Sequence, residues 1–491
     1  MRTTLLDSLV LDRRAATTLQ QQLRVGFKGL IQRGALRGGQ PLPSSRVLAD
    51  DLGVSRNTVT AAYDQLVEEG FLESRVRSGL FVSAAFTSPI NRLRLRAPSP
   101  TAEPAPALLA PPPPFRPCQP DVRLFPLTLW NRLRGRVLRR SGLDLLRYQS
   151  QCVLGHPALR QAIADYLHDS RGVQCDWGQV AVTAGSQQAL FLLAQLLVDP
   201  SATVAMEDPG YLGARRVWQQ RGARVVPLSV DALGLPPPTA LGEGRPVLVY
   251  TTPSRQFPTG ACLPMARRLA WLEFARAANA WIVEDDYDSE FRYGRPTVPS
   301  LHSLDISHRV IYVGSMSKVL VPSLRIGYVV LPPALVDRFA ALRSLVDDHG
   351  PLIDQAVMAE FIDGGMFYSH IRRCRREYGE RRQVFLDTAA RAGLPLTLAQ
   401  SDGGMNVLGW LPRRSRDERL SQALRPAGFD VPSLSSYSLS RFPPGLVLGY
   451  AAFDPKALRT HVVSLARTLD RELAACSPRR RLTRVARRAG T

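Results

Sequence analysis

The chain has 491 residues, more than one ordinary hydrophobic core supports, so two or three domains are expected. A hydrophobic content of 45% with 21% charged residues is that of a soluble globular protein, and no apolar run approaches the roughly 18–20 residues that a membrane helix needs. The net charge of +21 invites a nucleic-acid partner without identifying one, because the excess lies mostly outside residues 1–83, in Arg123–Arg147 and in the arginine-rich tail Ser477–Thr491, which reads as disordered.

In chain order, Met1–Arg14 mixes Asp7 and Asp12 into a short apolar stretch and lacks a signal-peptide pattern. Six scattered cysteines form no Cys-x-x-Cys pair, which argues against a disulfide framework or a zinc site and for a reducing cytoplasm. Leu19, Leu23, Phe27 and Leu30 recur at helical period and predict a helix over Leu19–Arg33. Leu42-Pro43-Ser44-Ser45-Arg46 supplies a cap for a short helix to Leu52, Gly53 turns the chain, and Ser55 caps a second helix, Asn57 to Glu69. Phe71–Ser74 and Leu80–Ser83 read as a hairpin. Two helices joined through Gly-Val-Ser and followed by a hairpin make a winged helix-turn-helix, and Ser55-Arg56-Asn57-Thr58 lies on the turn where a recognition helix meets base edges.

The phrases Leu42-Pro43-Ser44-Ser45-Arg46, Leu48-Ala49, Leu52-Gly53-Val54-Ser55-Arg56-Asn57-Thr58-Val59 and Ala62-Tyr63 closely resemble the winged-helix domain of GntR-type regulators over residues 19–83. The resemblance implies double-stranded DNA as partner, with Arg46 and Arg56, assisted by Ser44, Asn57 and Thr58, on the operator. Arg77 and Leu80 depart from the family's wing, where glycine and threonine are usual, so Arg77 is expected to grip phosphate from the wing tip.

The first domain is expected to end at residue 84. Residues 85–118 are dense in proline, which fixes φ and removes a backbone donor, so an extended linker is expected there. From about Leu145 helical and strand-like segments alternate, which implies an α/β domain with a mostly parallel sheet, over residues 119–476. Strands are predicted at Gln179–Thr183, Thr203–Met206, Val247–Tyr250, Trp281–Val283 and Val310–Val313. Each runs into a polar or glycine-containing turn, and in an open α/β sheet such turns gather around one pocket.

Within those turns, Lys318 is one of only three lysines against sixty arginines. A guanidinium cannot supply a free amine to an aldehyde, whereas a desolvated lysine can form an imine with a carbonyl cofactor. Ala184-Gly185-Ser186-Gln187 opens a helix and offers free backbone N–H groups to an anion. Arg325 adds a bidentate fork, and Ser315, Ser317 and Gln187 flank these groups. Tyr211 offers a stacking face, Tyr287 a donor to a ring hydroxyl, and Asp285 or Asp286 an acid for a pyridinium nitrogen. The set matches pyridoxal phosphate (PLP).

The order of these pieces resembles the fold-type I aminotransferases. The phrases Glu207-Asp208-Pro209-Gly210-Tyr211, Gly185-Ser186-Gln187-Gln188-Ala189-Leu190, Glu284-Asp285-Asp286-Tyr287-Asp288-Ser289-Glu290-Phe291-Arg292-Tyr293 and Ser317-Lys318…Arg325 resemble the MocR subgroup, which joins a GntR-type head to such a domain. The resemblance covers residues 19–83 and 115–470. It implies a large α/β domain with a small α+β domain and a homodimer, head-to-tail or otherwise, facing two DNA half-sites. It also implies Asp285 for the ring nitrogen, Tyr287 for the ring hydroxyl and Lys318 for the imine. Arg255 stands where the subgroup often has histidine, and Val447 stands where aminotransferases carry the substrate-carboxylate arginine, with Arg441 upstream. Two functions follow: a transcription regulator that senses PLP or a PLP–amino-acid adduct, and, as its rival, a working aminotransferase with a DNA-binding appendage.

Overall fold

The computed structural model describes residues 9, 11–15, 17–76, 78–87, 112–242, 245–294 and 298–476. Contacts divide the chain into two units, residues 1–110 and 111–491.

The first unit holds helices α1 (Leu19–Gln32), α2 (Ser45–Leu52) and α3 (Arg56–Glu68) and a hairpin of β1 (Leu72–Arg75) with β2 (Gly79–Val82). Each helix starts on a hydroxyl cap: Thr18 accepts from Gln21 N, Ser44 from Val47 N, and Ser55 from Thr58 N. Gly53 closes α2 at φ 63°, a left-handed conformation that glycine adopts without a Cβ penalty. Leu23, Phe27, Leu48, Val59, Tyr63 and Leu66 bury one core with Leu72 and Val82 from the hairpin. The antiparallel register, Leu72↔Val82 to Arg75↔Gly79, lies within a residue of the expected hairpin.

Residues 88–111 lie outside the described residues. From 112 onward the stretch expected to be an extended linker is docked on the second unit. Phe115 is fully buried and meets Phe385 and Phe429. The carbonyls of Pro114 and Phe115 accept from Asp430 N at 3.0 Å and Gly449 N at 2.8 Å. Proline density conveyed stiffness, but one aromatic side chain with two backbone acceptors is enough to dock this stretch.

The second unit centres on a seven-stranded sheet, β3 (Val180–Thr183), β4 (Thr203–Asp208), β5 (Arg224–Ser229), β6 (Leu248–Thr251), β7 (Trp281–Asp286), β8 (Val310–Ser315) and β9 (Gly327–Val330). The spatial order is β3-β9-β8-β7-β6-β4-β5. β9 runs antiparallel to both neighbours and the other pairings are parallel. One face, with Val249, Ile282, Val310 and Tyr312, packs against α4 (Leu127–Ser141), α5 (Pro157–Arg171) and further helices. The other, with Tyr250, Val283, Ile311 and Val313, packs against α6 (Ser186–Leu197) and α7 (Leu212–Gln220). Both faces are covered, as a parallel sheet requires. A three-stranded antiparallel sheet, β10 (Thr397–Leu398), β11 (Asn406–Trp410) and β12 (Gly445–Gly449), forms a smaller subdomain whose core includes Phe385, Leu446, Leu448 and Val462.

Candidate cofactor site and nucleic-acid interface

The pleat decides which acidic residue faces the site. Successive side chains on a strand point to opposite faces. On β7, Val283 and Asp285 share the face of α6, where Tyr250 of β6 donates its hydroxyl to Asp285 Oδ2 at 2.7 Å. Asp286 points the other way, paired with Arg171 at 3.1 Å and accepting from Tyr312 Oη at 2.5 Å. The alternative left open between Asp285 and Asp286 is thereby resolved geometrically: Asp285 lines the cavity.

That cavity, about 550 Å³, gathers all nine residues expected at the cofactor: Ser186, Gln187, Tyr211, Asp285, Tyr287, Ser315, Ser317, Lys318 and Arg325. Lys318 Nζ donates to the Cys118 carbonyl at 3.1 Å. On the wall of the same cavity, α6 begins after Gly185 (φ 100°) with no side-chain cap, so its first-turn amides are open to an anion. Arg325 donates to the Ala184 carbonyl beside them. A Cβ on Gly327 would lie 2.6 Å from Gly185 Cα, so glycine at 327 is what lets β9 approach this turn. Tyr211 donates to Gln187 Oε1 at 3.1 Å, and Gln187 Nε2 donates to the Gly213 carbonyl at 3.2 Å.

Burial sets the electrostatics. It pushes the Asp285 carboxyl from 3.8 up to about 7, against the Tyr250 hydrogen bond and Lys318, with Asp286 and Glu207 adding to the rise. Asp285 Oδ1 is buried without a hydrogen-bond partner among the described residues. An orphaned carboxylate oxygen of this kind needs a donor, and a ring N–H is one that fits. Burial likewise pushes Tyr211 up to about 12, keeping it a neutral stacking face.

Sequence reasoning missed several lining residues. Arg116, Cys118 and Gln119 come from the stretch assigned to the linker and its border, Phe257 from a loop and Tyr437 from the short 3-10 helix Leu434–Tyr437. Phe257 is the hub of an aromatic cluster, edge-on to Tyr211, Tyr287 and Tyr437 at 6.2, 5.7 and 5.2 Å between centroids. Behind them Glu207 braces the β6 turn, accepting from Thr251 Oγ1 and Thr252 Oγ1, both at 2.6 Å. Val447 is buried against Leu408 and Leu434 and does not line the cavity, and neither does Arg441. The cavity's basic lining residues are Arg116, Lys318 and Arg325.

In the first unit Arg46, Arg56 and Asn57 are exposed around the start of α3. Ser44 and Ser55 are engaged as caps, and Ser55 also bonds Thr58 Oγ1 at 2.7 Å. Arg56 Nε leans on Ser45 Oγ at 3.4 Å. Arg77 lies outside the described residues.

A winged helix-turn-helix head, together with a fold-type I unit carrying an aminotransferase-like cavity, defines a composite regulator. Residues 19–82 match the model of the bacterial regulatory proteins of the gntR family, and residues 141–465 match that of aminotransferase class I and II. The chain is 42% identical to the probable rhizopine catabolism regulatory protein MocR of Rhizobium meliloti, over 93% of this chain and 95% of that one. It is 32% identical to the pyridoxine biosynthesis transcriptional regulator PdxR of Corynebacterium glutamicum, over 92% and 96% of the two chains. Among solved structures it resembles LysN, the alpha-aminoadipate aminotransferase of Thermus thermophilus complexed with N-(5'-phosphopyridoxyl)-L-leucine. That likeness has a TM-score of 0.68 and 28% identity, over 74% of this chain and 92% of that one. The chain belongs to the MocR-type transcriptional regulators of the GntR family. Its fold neighbours imply that it binds PLP.

Proposed function

We propose that this regulator senses PLP, alone or joined to an amino acid or amine, in the cavity around Lys318, and that occupancy changes how a homodimer holds two DNA half-sites. The observation that carries the cofactor assignment is the pairing of Lys318 with the orphaned Asp285 Oδ1 in one cavity. When bound, PLP would supply an aldehyde carbon to the lysine amine and an electron-withdrawing ring. The chain's own groups then have distinct tasks. Asp285 holds a proton on the ring nitrogen. Tyr287 donates to the ring oxygen, and Tyr211 covers the ring. The α6 amides with Ser186, Ser315 and Arg325 hold the phosphate, with Gln187 and Ser317 flanking.

What favours a sensor over a transaminase is that β12 presents no arginine fork to the cavity. With Val447 buried on that strand, no guanidinium from it orients an amino-acid carboxylate, and orientation is what makes transamination fast. The test mixes PLP-loaded full-length protein with a panel of amino acids and follows formation of pyridoxamine phosphate. A conversion that is absent, or far slower than the ~1–1000 per second of ordinary enzymes, is expected. Conversion at enzyme rates would instead establish the rival, a working aminotransferase with a DNA-binding appendage.

A further inference from the structure

Arg255 is buried, yet it does not line the cavity. Its guanidinium joins three parts of the second unit. Nη1 donates to Tyr287 Oη at 2.9 Å and to Asp288 Oδ2 at 3.0 Å, on the loop after β7. Nη2 donates to the Asn406 carbonyl of β11 at 2.6 Å, and Nε to Ser401 Oγ at 3.4 Å, both in the smaller subdomain. Gly404 passes so close that a Cβ there would lie 2.1 Å from Arg255 Cζ. Tyr293 and Tyr450 hold that loop, both donating to the Gly404 carbonyl, at 2.7 and 2.5 Å.

The chemistry of Tyr287 follows from this seat. A guanidinium has only donors, so Tyr287 must accept from it, and the single phenol proton is turned away from Arg255. Tyr287 lines the cavity, and among the described residues no acceptor for that proton is found. A phenol with its lone pair occupied from behind and its proton directed into a cavity is set to donate to a ligand oxygen.

We propose that Arg255 is a positioning residue for the cofactor, fixing Tyr287 as donor to the ring oxygen and tying that donor's alignment to the smaller subdomain through Asn406 and Ser401. The inference rests on the PLP reading above. A donor held on the ring oxygen favours the neutral imine nitrogen of the Lys318 linkage, so it lowers the pH at which that nitrogen loses its proton. The titratable or charged groups facing this cluster are Asp288 on the same loop with Asp286 and Glu290 beside it, Cys118 from the docked 112–118 stretch with Asp285 acting on it, Tyr293, Tyr450, Arg382 beside Ser401, and Lys318. Burial pushes Asp288 up to about 6 and Tyr450 up to about 12, so near neutral pH Asp288 is the one of these two that titrates.

The experiment titrates the imine absorbance of PLP-loaded full-length protein against pH. Four variants are compared: Tyr287→Phe, Arg255→Gln paired with Asp288→Asn so that no lone charge stays buried, the combination of all three changes, and Arg255→Lys. Loss of one charge-assisted hydrogen bond predicts that the midpoint rises by about one to two pH units in the first and in the second. The combination should rise no further, because both act through one donor. Arg255→Lys keeps the charge, but its single nitrogen cannot hold Tyr287, Asp288 and the Asn406 carbonyl together. It should raise the midpoint measurably, and it carries the test where the paired variant does not fold. A midpoint unchanged in the Arg255 variants overturns the inference. So does a shift that adds fully to that of Tyr287→Phe, since Arg255 would then act independently of the phenol. Absence of the imine band in the unmodified protein defeats the cofactor reading itself, which keeps the two failures distinct.

Discussion

Asp285 offers a test that needs no cofactor. Its carboxyl stands at about 7 in the folded protein against an ordinary value of 3.8, raised first by burial. A folded-state value above the unfolded one means that the native protein holds a proton the unfolded chain has already lost. Stability therefore falls as pH rises from 3.8 to about 7 and stays lowered beyond it. The rise of about 3, at ~1.4 kcal/mol for each factor of ten, puts the full deficit on the order of 4 kcal/mol. Asp285→Asn removes the ionisation while keeping an oxygen for the Tyr250 hydroxyl. Cofactor-free Asp285→Asn should therefore match the unmodified protein in acid and exceed it by up to that amount above neutrality. Thermal unfolding of both proteins across pH reads this directly. With PLP the order should reverse, because the ring N–H then compensates the carboxylate, and an uncharged amide at this position offers the ring no such charge. Equal destabilisation of cofactor-free Asp285→Asn on both sides of neutrality would refute the reasoning.

Arg325→Ala should weaken PLP binding by about 10- to 100-fold while hardly changing the affinity for pyridoxal, which lacks the phosphate, as judged by absorbance titration. Gly327→Ala places a methyl against the Gly185 backbone and should cost about 1–3 kcal/mol in thermal unfolding, with a matching loss of PLP affinity. In the first unit, Arg46→Ala and Arg56→Ala should each weaken operator binding by about 1–3 kcal/mol in a fluorescence anisotropy titration and leave the imine band intact. Tyr63→Ala should empty the core where α3 meets α1 and cost about 3–5 kcal/mol, abolishing DNA binding through unfolding of the head.

Much of this architecture was legible because local chemistry and tertiary role coincide. Ser44, Ser55 and Gly53 are caps that state where α2 and α3 start and where α2 stops, and the structure follows them within a residue or two. The strands were harder. Glu207-Asp208, Glu284-Asp285-Asp286 and Gly314-Ser315 were expected in turns, yet they extend β4, β7 and β8 by two or three residues. Polarity mimics a strand end when the polar groups are buried and satisfied across strands, as Glu207 is by Thr251 and Thr252. β5 and β9 went unpredicted. β5 is an edge strand with Pro227 inside it, and β9 is only four residues, read in sequence as the sequel to Arg325. The candidate cofactor residues were legible because they end successive strands. Arg255, Phe257 and Cys118 were not, since their places depend on loops meeting from distant parts of the chain. A signal existed for Phe115, an aromatic ring inside a proline run, where a solvated linker has no use for one.

The most direct test of the whole account measures DNA affinity in the presence and absence of PLP. Full-length protein and Lys318→Ala are titrated against the DNA upstream of the protein's own gene, at fixed salt. PLP should change the affinity of the unmodified protein by about 5- to 150-fold, the range of ordinary allosteric coupling, and should leave that of Lys318→Ala unchanged. An identical PLP response in both proteins, or none in either, would contradict a regulator that reads the cofactor through Lys318.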